Sequence, residues 1–230
     1  MAIPFGTKWI ARKKNMVAYA TKHNIQVPKN LRMTPYCGSA CRQLMKNIQR
    51  AKWGDQAANG KWSGALETLI KPQLTLGQKA LAVAKTQNGV KEHPAGTNDG
   101  PQVRKYQSTT GAYKQPWCGS FVTWCFSQVG RKLSGFNTAY VPSWVDTARA
   151  GKSGLRVIAR DQVRPGDVVT YDWGHDGVPD HIGIASSIVD AGGNFTAWEG
   201  NTSVGNDSNG GEVMERSRNV GNVSHFIRVS

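Results

Sequence analysis

The hydrophobic pattern of this chain changes period once, and that change constrains its fold more than any other feature. Up to about residue 150 apolar side chains recur at helical spacing. Residues 8–24 place Trp9, Met16, Val17 and Ala20 on one stripe, with basic residues between them. A second stretch, about 39–52, carries Leu44, Ile48 and Ala51 and stops at Gly54; a third, 63–71, carries Leu66, Leu69 and Ile70 before Pro72. Helical spacing resumes over 76–85, over 117–129 and over 143–150, the last closed by Gly151. After the Pro165-Gly166 turn the runs shorten and alternate. DVVTYDW (167–173), HIGIASSIV (181–189), FTAWEGNT (195–202) and SHFIRVS (224–230) read as strands. Helices followed by strands predict an α+β fold with an antiparallel sheet, preceded by a small all-helical domain. The boundary is expected near the PQLTL segment (72–76), giving domains 1–74 and 75–230.

Charge divides the chain at the same place. Residues 1–75 hold thirteen Lys or Arg against two acids, Asp55 and Glu67, whereas residues 76–230 hold sixteen against thirteen. A basic helical domain suits a polyanion, either nucleic acid or an acidic cell wall, and charge alone does not choose between them. No run approaches the ~20 apolar residues of a bilayer span. The first twenty residues have charges inside every apolar patch and so lack the core of a secretory signal, which predicts synthesis in a cytoplasm. On that ground the four cysteines (Cys37, Cys41, Cys118, Cys125) are expected not to form a disulfide framework. Cys37 and Cys41 lack the spacing and the second pair of a zinc site. Cys118 and Cys125, two turns apart on one helix, are about 10 Å from each other and cannot bridge.

The segment QPWCGSFVTWC (115–125) concentrates the chemistry. Pro116 and Gly119 bracket Cys118 at the first turn of an apolar helix, where unpaired N–H groups and the helix dipole favour a thiolate and an oxyanion. Cys125, mid-helix on the apolar face, is a core side chain. A nucleophilic cysteine needs a base held by a third group. His181 opens a strand directly after a turn, with Gly183 and Ala185 on its face and Ile182 and Ile184 opposite. In the next strand Glu199 and Asn201 share a face by the same alternation, and either is placed to hold the second ring nitrogen of His181. Cysteine at a helix start, followed by His and Glu/Asn on adjacent strands, is a papain-like order.

These segments resemble the CHAP family, the cysteine, histidine-dependent amidohydrolases/peptidases of phage endolysins and bacterial wall hydrolases. The matching stretches are GVKEHPAGTNDGPQVRKY (89–106), QPWCGSFVTWCFSQVG (115–130), RPGDVVTYDW (164–173), DHIGIASS (180–187) and WEGNTS (198–203), in the family's order. The resemblance implies Cys118 as nucleophile, His181 as base and Glu199 as orienter with Asn201 beside it. Gln115, Trp117 and Gly119 flank the nucleophile as candidates for oxyanion or substrate positioning. It implies as substrate an amide of bacterial peptidoglycan, either the muramoyl–alanine bond or a peptide bond of the stem or cross-bridge. Some relatives bind calcium through an acidic loop before the nucleophile. Here 104–117 contains no acid, and the D-x-G-x-D-G run that opens 172–183 lacks a closing glutamate, so neither a metal nor another cofactor is expected.

Residues 48–70 resemble the helical peptidoglycan-binding domain, with Asn59-Gly60 in place of its Asp-Gly. The basic domain is accordingly expected to hold anionic wall polymers rather than nucleic acid, and a phage endolysin, made in the host cytoplasm, is the reading the whole chain favours. Two other classes compete. One is an inactive papain-like module that binds a polyanion; the other is a cysteine peptidase acting on proteins.

Overall fold

The computed structural model describes residues 5–34, 36–72 and 74–230, with the side chains of 5–8 left out. The chain divides into two compact units, 1–73 and 74–230.

The first unit is helical: α1 (Phe5–Lys22), α2 (Ser39–Trp53) and α3 (Gly64–Ile70). Met16 and Ala20 of α1, Leu44, Met45 and Ile48 of α2, and Leu66 and Ile70 of α3 form its core. Ser63 caps α3 by accepting the Leu66 N–H at 3.1 Å. Gly54 ends α2 at φ +84°, a left-handed value that glycine adopts without strain.

Two features of this unit involve polar groups. Lys13, one of the basic residues between the apolar positions of α1, is 1% exposed. Its ammonium donates to the carbonyls of Arg32 and Thr34, both at 2.9 Å, and to that of Tyr36. The expectation of free cysteines is corrected: Cys37 and Cys41 form a disulfide. Cys37 lies just ahead of α2 and Cys41 in its first turn, which leaves their Cα atoms 5.2 Å apart, inside bridging range. Redox compartment carries no information about this local geometry.

The second unit begins with α4 (Leu76–Lys85), opened by a capping box in which Thr75 and Gln78 exchange backbone and side-chain bonds. Then come α5 (Pro101–Gln107), α6 (Cys118–Ser127) and α7 (Val141–Arg149). The strands are β1 (Leu155–Ile158), β2 (Val168–Tyr171), β3 (His181–Ala185), β4 (Asn194–Thr202), β5 (Glu212–Asn219) and β6 (Val223–Val229). They form one antiparallel sheet in the order β1-β6-β2-β3-β4-β5. The unit is α+β.

Both faces of the sheet are buried in its middle. Ile182, Ile184 and Trp198 pack with α6 residues Phe121, Val122 and Cys125 in one cluster. Val169, Tyr171, Ala185, Phe195 and Phe226 make a second. Strand β3 is consequently buried at every position. Three elements were not anticipated. Helix α5 falls in a segment rich in Gly, Asn and Pro, β1 is four residues long, and β5 (EVMERSRN) is too polar to read as a strand.

Candidate active site

Cys118 is the first residue of α6, and Trp117 before it supplies no side-chain cap. The first N–H groups of the helix therefore surround the thiol without an intrahelical partner of their own. Gly119 determines how closely the neighbouring loop approaches. A Cβ at this position would lie 2.5 Å from the Thr138 carbonyl oxygen and 2.9 Å from that of Ala139. Its absence lets residues 138–139 pack on the first turn. The resulting cleft beside Cys118 is lined by Gln115, Pro116, Tyr140, Val178 and Asp180. Cys118 itself is 3% exposed.

His181 enters from the first position of β3 and is fully buried. Its Nε2 lies 3.1 Å from Glu199 Oε2, and Glu199 is equally buried. The register makes the pair possible: Gly183 of β3 stands opposite Glu199 of β4, and a Cβ on Gly183 would meet Glu199 Cγ at 2.6 Å. The missing side chain is the space in which the glutamate lies along the sheet towards the imidazole. Burial lowers the His181 pKa, but interactions with the Cys118 sulfur and the Glu199 carboxylate outweigh it and raise the value to about 9. His181 thus holds its proton at neutral pH. Nδ1 makes no hydrogen bond of ordinary geometry among the described residues. Nε2 is committed to Glu199, so Nδ1 is the nitrogen left to exchange a proton with the thiol, a contact that is often loose without substrate.

Glu199 has a second partner. Arg218 of β5 donates through Nε to Oε1 at 2.8 Å and through Nη2 to Oε2. Burial raises the Glu199 pKa, yet Arg218 first and His181 next bring it below the ordinary value, so the carboxylate stays ionised. The Arg218 guanidinium lies over Trp173 and Tyr171, 4.8 and 5.3 Å from the ring centroids, and the Tyr171 ring stacks on His181 at 5.9 Å. Burial, then Glu199, keeps the Tyr171 phenol protonated.

Residues 109–201 match the family model described as the CHAP domain. The matched segment is similar to that family. It holds Cys118, His181 and Glu199 within its limits. Among solved structures, the wild-type endolysin LysIME-EF1 is similar at TM-score 0.45 and 18% identity, over 68% of this chain. The chain spans 65% of that protein's length. Comparison with curated proteins gives no match.

Of the candidates the sequence offered, Cys118, His181 and Glu199 come together in the second unit, and Gln115 lines the cleft as an exposed side chain. Two expectations are corrected. Asn201 does not share the approach to His181. The β4–β5 register shifts between Glu199 and Thr202, Asn201 takes φ +60°, and its amide bonds Asn209 Oδ1 at 3.0 Å and the Gly211 N–H at 3.2 Å. Simple alternation fails there because a bulge interrupts it. Trp117 does not present its ring to the cleft. The indole is fully buried, donates to Glu92 Oε1 at 2.8 Å and stacks on Tyr106. The Asp172, Asp176 and Asp180 carboxylates each accept backbone N–H bonds within their own loop. Sequence reasoning missed Arg218. The signal was the alternation of Met214, Arg216 and Arg218, which counts as a strand face only once β5 is recognised.

Proposed function

We propose that this chain is a peptidoglycan hydrolase of the endolysin type, cleaving an amide bond of the bacterial cell wall with Cys118 as nucleophile, His181 as acid–base and Glu199 as orienter. The observation that carries the reading is the placement of Cys118 at a helix start in an open cleft, acting on a buried imidazole whose far nitrogen is held by a buried carboxylate. The CHAP match over the same residues and the resemblance of the flanking motifs supply the substrate class.

The chemistry proceeds in two halves. The Cys118 sulfur attacks the amide carbonyl while its proton resides on His181, and the oxyanion meets the free N–H groups of the first turn of α6. His181 passes that proton to the leaving amine as the C–N bond breaks, leaving a thioester. Water then attacks the thioester and gives its proton to His181; the carboxylate product leaves and the thiol pair is restored. The cleft walls are mostly apolar, with Gln115, Tyr140 and Asp180 as the polar groups. The basic unit 1–73, eleven charges positive over residues 1–75, would concentrate the enzyme on an anionic wall polymer.

The test is mass spectrometry of soluble fragments released from purified peptidoglycan by wild type and by Cys118→Ala. Fragments from wild type alone, with the variant still bound to the wall, are the expected result. Free stem peptides would identify a muramoyl–alanine amidase, and cut stems or bridges an endopeptidase. Equal release by both proteins would remove Cys118 from the chemistry.

A further inference from the structure

Beyond the Cys118–His181–Glu199 set lies a second layer of charge. Both Glu199 oxygens are gripped by one guanidinium, Nε on Oε1 at 2.8 Å and Nη2 on Oε2. The guanidinium is held from behind in turn. Its Nη1 donates to Asp207 Oδ1 at 2.6 Å, and Asp207 is shared with Arg216 at 2.7 Å. Trp173 and Tyr171 cover one side. Resting on the reading that Cys118 and His181 perform the hydrolysis, we propose that Arg218, anchored by Asp207, is a positioning residue of this site: it fixes Glu199 as the ionised acceptor that orients the His181 imidazole.

The argument is one of geometry and solvation. A carboxylate with no exposure is costly to ionise unless it is paired and hydrogen-bonded. An imidazole that gives and takes a proton during turnover cannot be its permanent counter-charge. Arg218 keeps its proton throughout and meets the carboxylate at two points, so the plane of the Glu199 carboxylate cannot turn. Oε2 is thereby left facing Nε2, and the ring keeps Nδ1 available to Cys118. Were Arg218 merely filling space, one contact to one oxygen would suffice, and Asp207 would have no reason to clamp its far side. The charged and titratable groups around the pair are Cys118 on α6, Tyr171 on β2, Arg216 and Arg218 on β5, and Asp207 in the β4–β5 connection. Among them Arg218 directly bonds Glu199 with a permanent positive charge.

The pH dependence of Cys118 alkylation by iodoacetamide reads this without any wall substrate, using the full chain and locating the adduct by mass spectrometry. The position of the acid limb of that rate is compared between wild type and variants. Arg218→Met should move this limb upward by about one pH unit or more, the scale on which a cation next to a carboxylate acts. Arg218→Lys should move it less, since the charge survives and the two-point grip does not, and Asp207→Asn less again. A cooperatively melting Arg218→Met protein with the wild-type profile would overturn the proposal. Should that variant fail to fold, a wild-type limb in Arg218→Lys overturns it equally. The two readings fail differently. Wild type that releases no wall fragments refutes the assigned substrate but leaves the alkylation comparison decisive, whereas wild type that takes no adduct at Cys118 at any pH refutes both.

Discussion

Each unit of this protein hides a cation, and the two are hidden in different ways. Lys13 in the helical unit and Arg218 in the α+β unit are 1% and 9% exposed. Lys13 is met by neutral groups, the carbonyls of Arg32, Thr34 and Tyr36 and the Thr34 hydroxyl at 3.2 Å. Arg218 is met by carboxylates, one of which also touches an imidazole. Carbonyl dipoles satisfy a charge without passing anything on, so the lysine gathers Arg32, Thr34 and Tyr36 onto α1 and its influence ends there. A carboxylate between a cation and a titrating ring passes the effect on, because its own charge state depends on the first and sets that of the second. Burial of a charge is therefore not by itself a functional signal; the nature of the group that answers it is.

That contrast breaks most readily at the centre of the candidate site. His181→Ala should lower turnover by on the order of 10⁴-fold, because both the proton acceptor and the donor to the leaving amine go with it. Glu199→Gln keeps the shape and a hydrogen-bonding oxygen but removes the charge, and should cost on the order of 10²-fold. Peptidoglycan turbidity clearing with the two variants at equal concentration ranks them. A larger loss for Glu199→Gln than for His181→Ala would mean that the carboxylate, not the imidazole, handles the proton.

The pH profile sharpens the comparison next. With the His181 pKa raised to about 9, the protonated ring contributes stability that is complete below the ordinary histidine value near 6.5 and is lost as pH rises through about 9. Glu199 has the opposite sign. Its depressed pKa contributes stability present above its ordinary value of 4.5 and lost as pH falls through the lowered one. Hydrolysis should decline as pH rises through about 9, where the leaving amine loses its proton donor, while alkylation of Cys118 should not decline with it. Parallel decline of both rates would show that loss of structure, not of the proton, sets the alkaline limit.

How far the sequence reveals this site depends on how local each signal is. Cys118 before an apolar helix, and His181 at a strand start beside Gly183, are legible because the helix dipole and the two-residue period act over one turn or one strand. The α4 boundaries, 76–85, follow directly from spacing, and the structure adds the capping box that opens the helix. Asn201 was misplaced because a bulge breaks the period at that point, and a bulge is a matter of pairing with β5, not of β4 alone. Arg218 escaped for a related reason. Its strand is an edge strand from which Arg218 turns back over the sheet towards Glu199, and polar composition resembles a solvated loop until that partner is known. Lys13 and the Cys37–Cys41 bridge likewise depend on where Arg32, Thr34, Tyr36 and Cys37 meet the helices, which neither composition nor compartment encodes.

The smallest effect on the chemistry should come from the other buried cation. Lys13→Met removes an ammonium and leaves the Arg32, Thr34 and Tyr36 carbonyls without the donor they shared. Each buried acceptor left unpaired costs roughly 1–3 kcal/mol, so the helical unit should lose on the order of 3 kcal/mol after partial hydration of the loop. Chemical denaturation followed by tryptophan fluorescence would register this as an early transition, since Trp9, Trp53 and Trp62 belong to that unit. The alkylation profile of Cys118 should stay at wild type, because no carboxylate links Lys13 to an ionisable ring in the way that Glu199 links Arg218 to His181. A shift of the Cys118 acid limb in Lys13→Met comparable to that in Arg218→Met would erase the distinction: the limb would then be reporting general loosening of the protein, and the second layer around Glu199 would lose its special claim on the histidine.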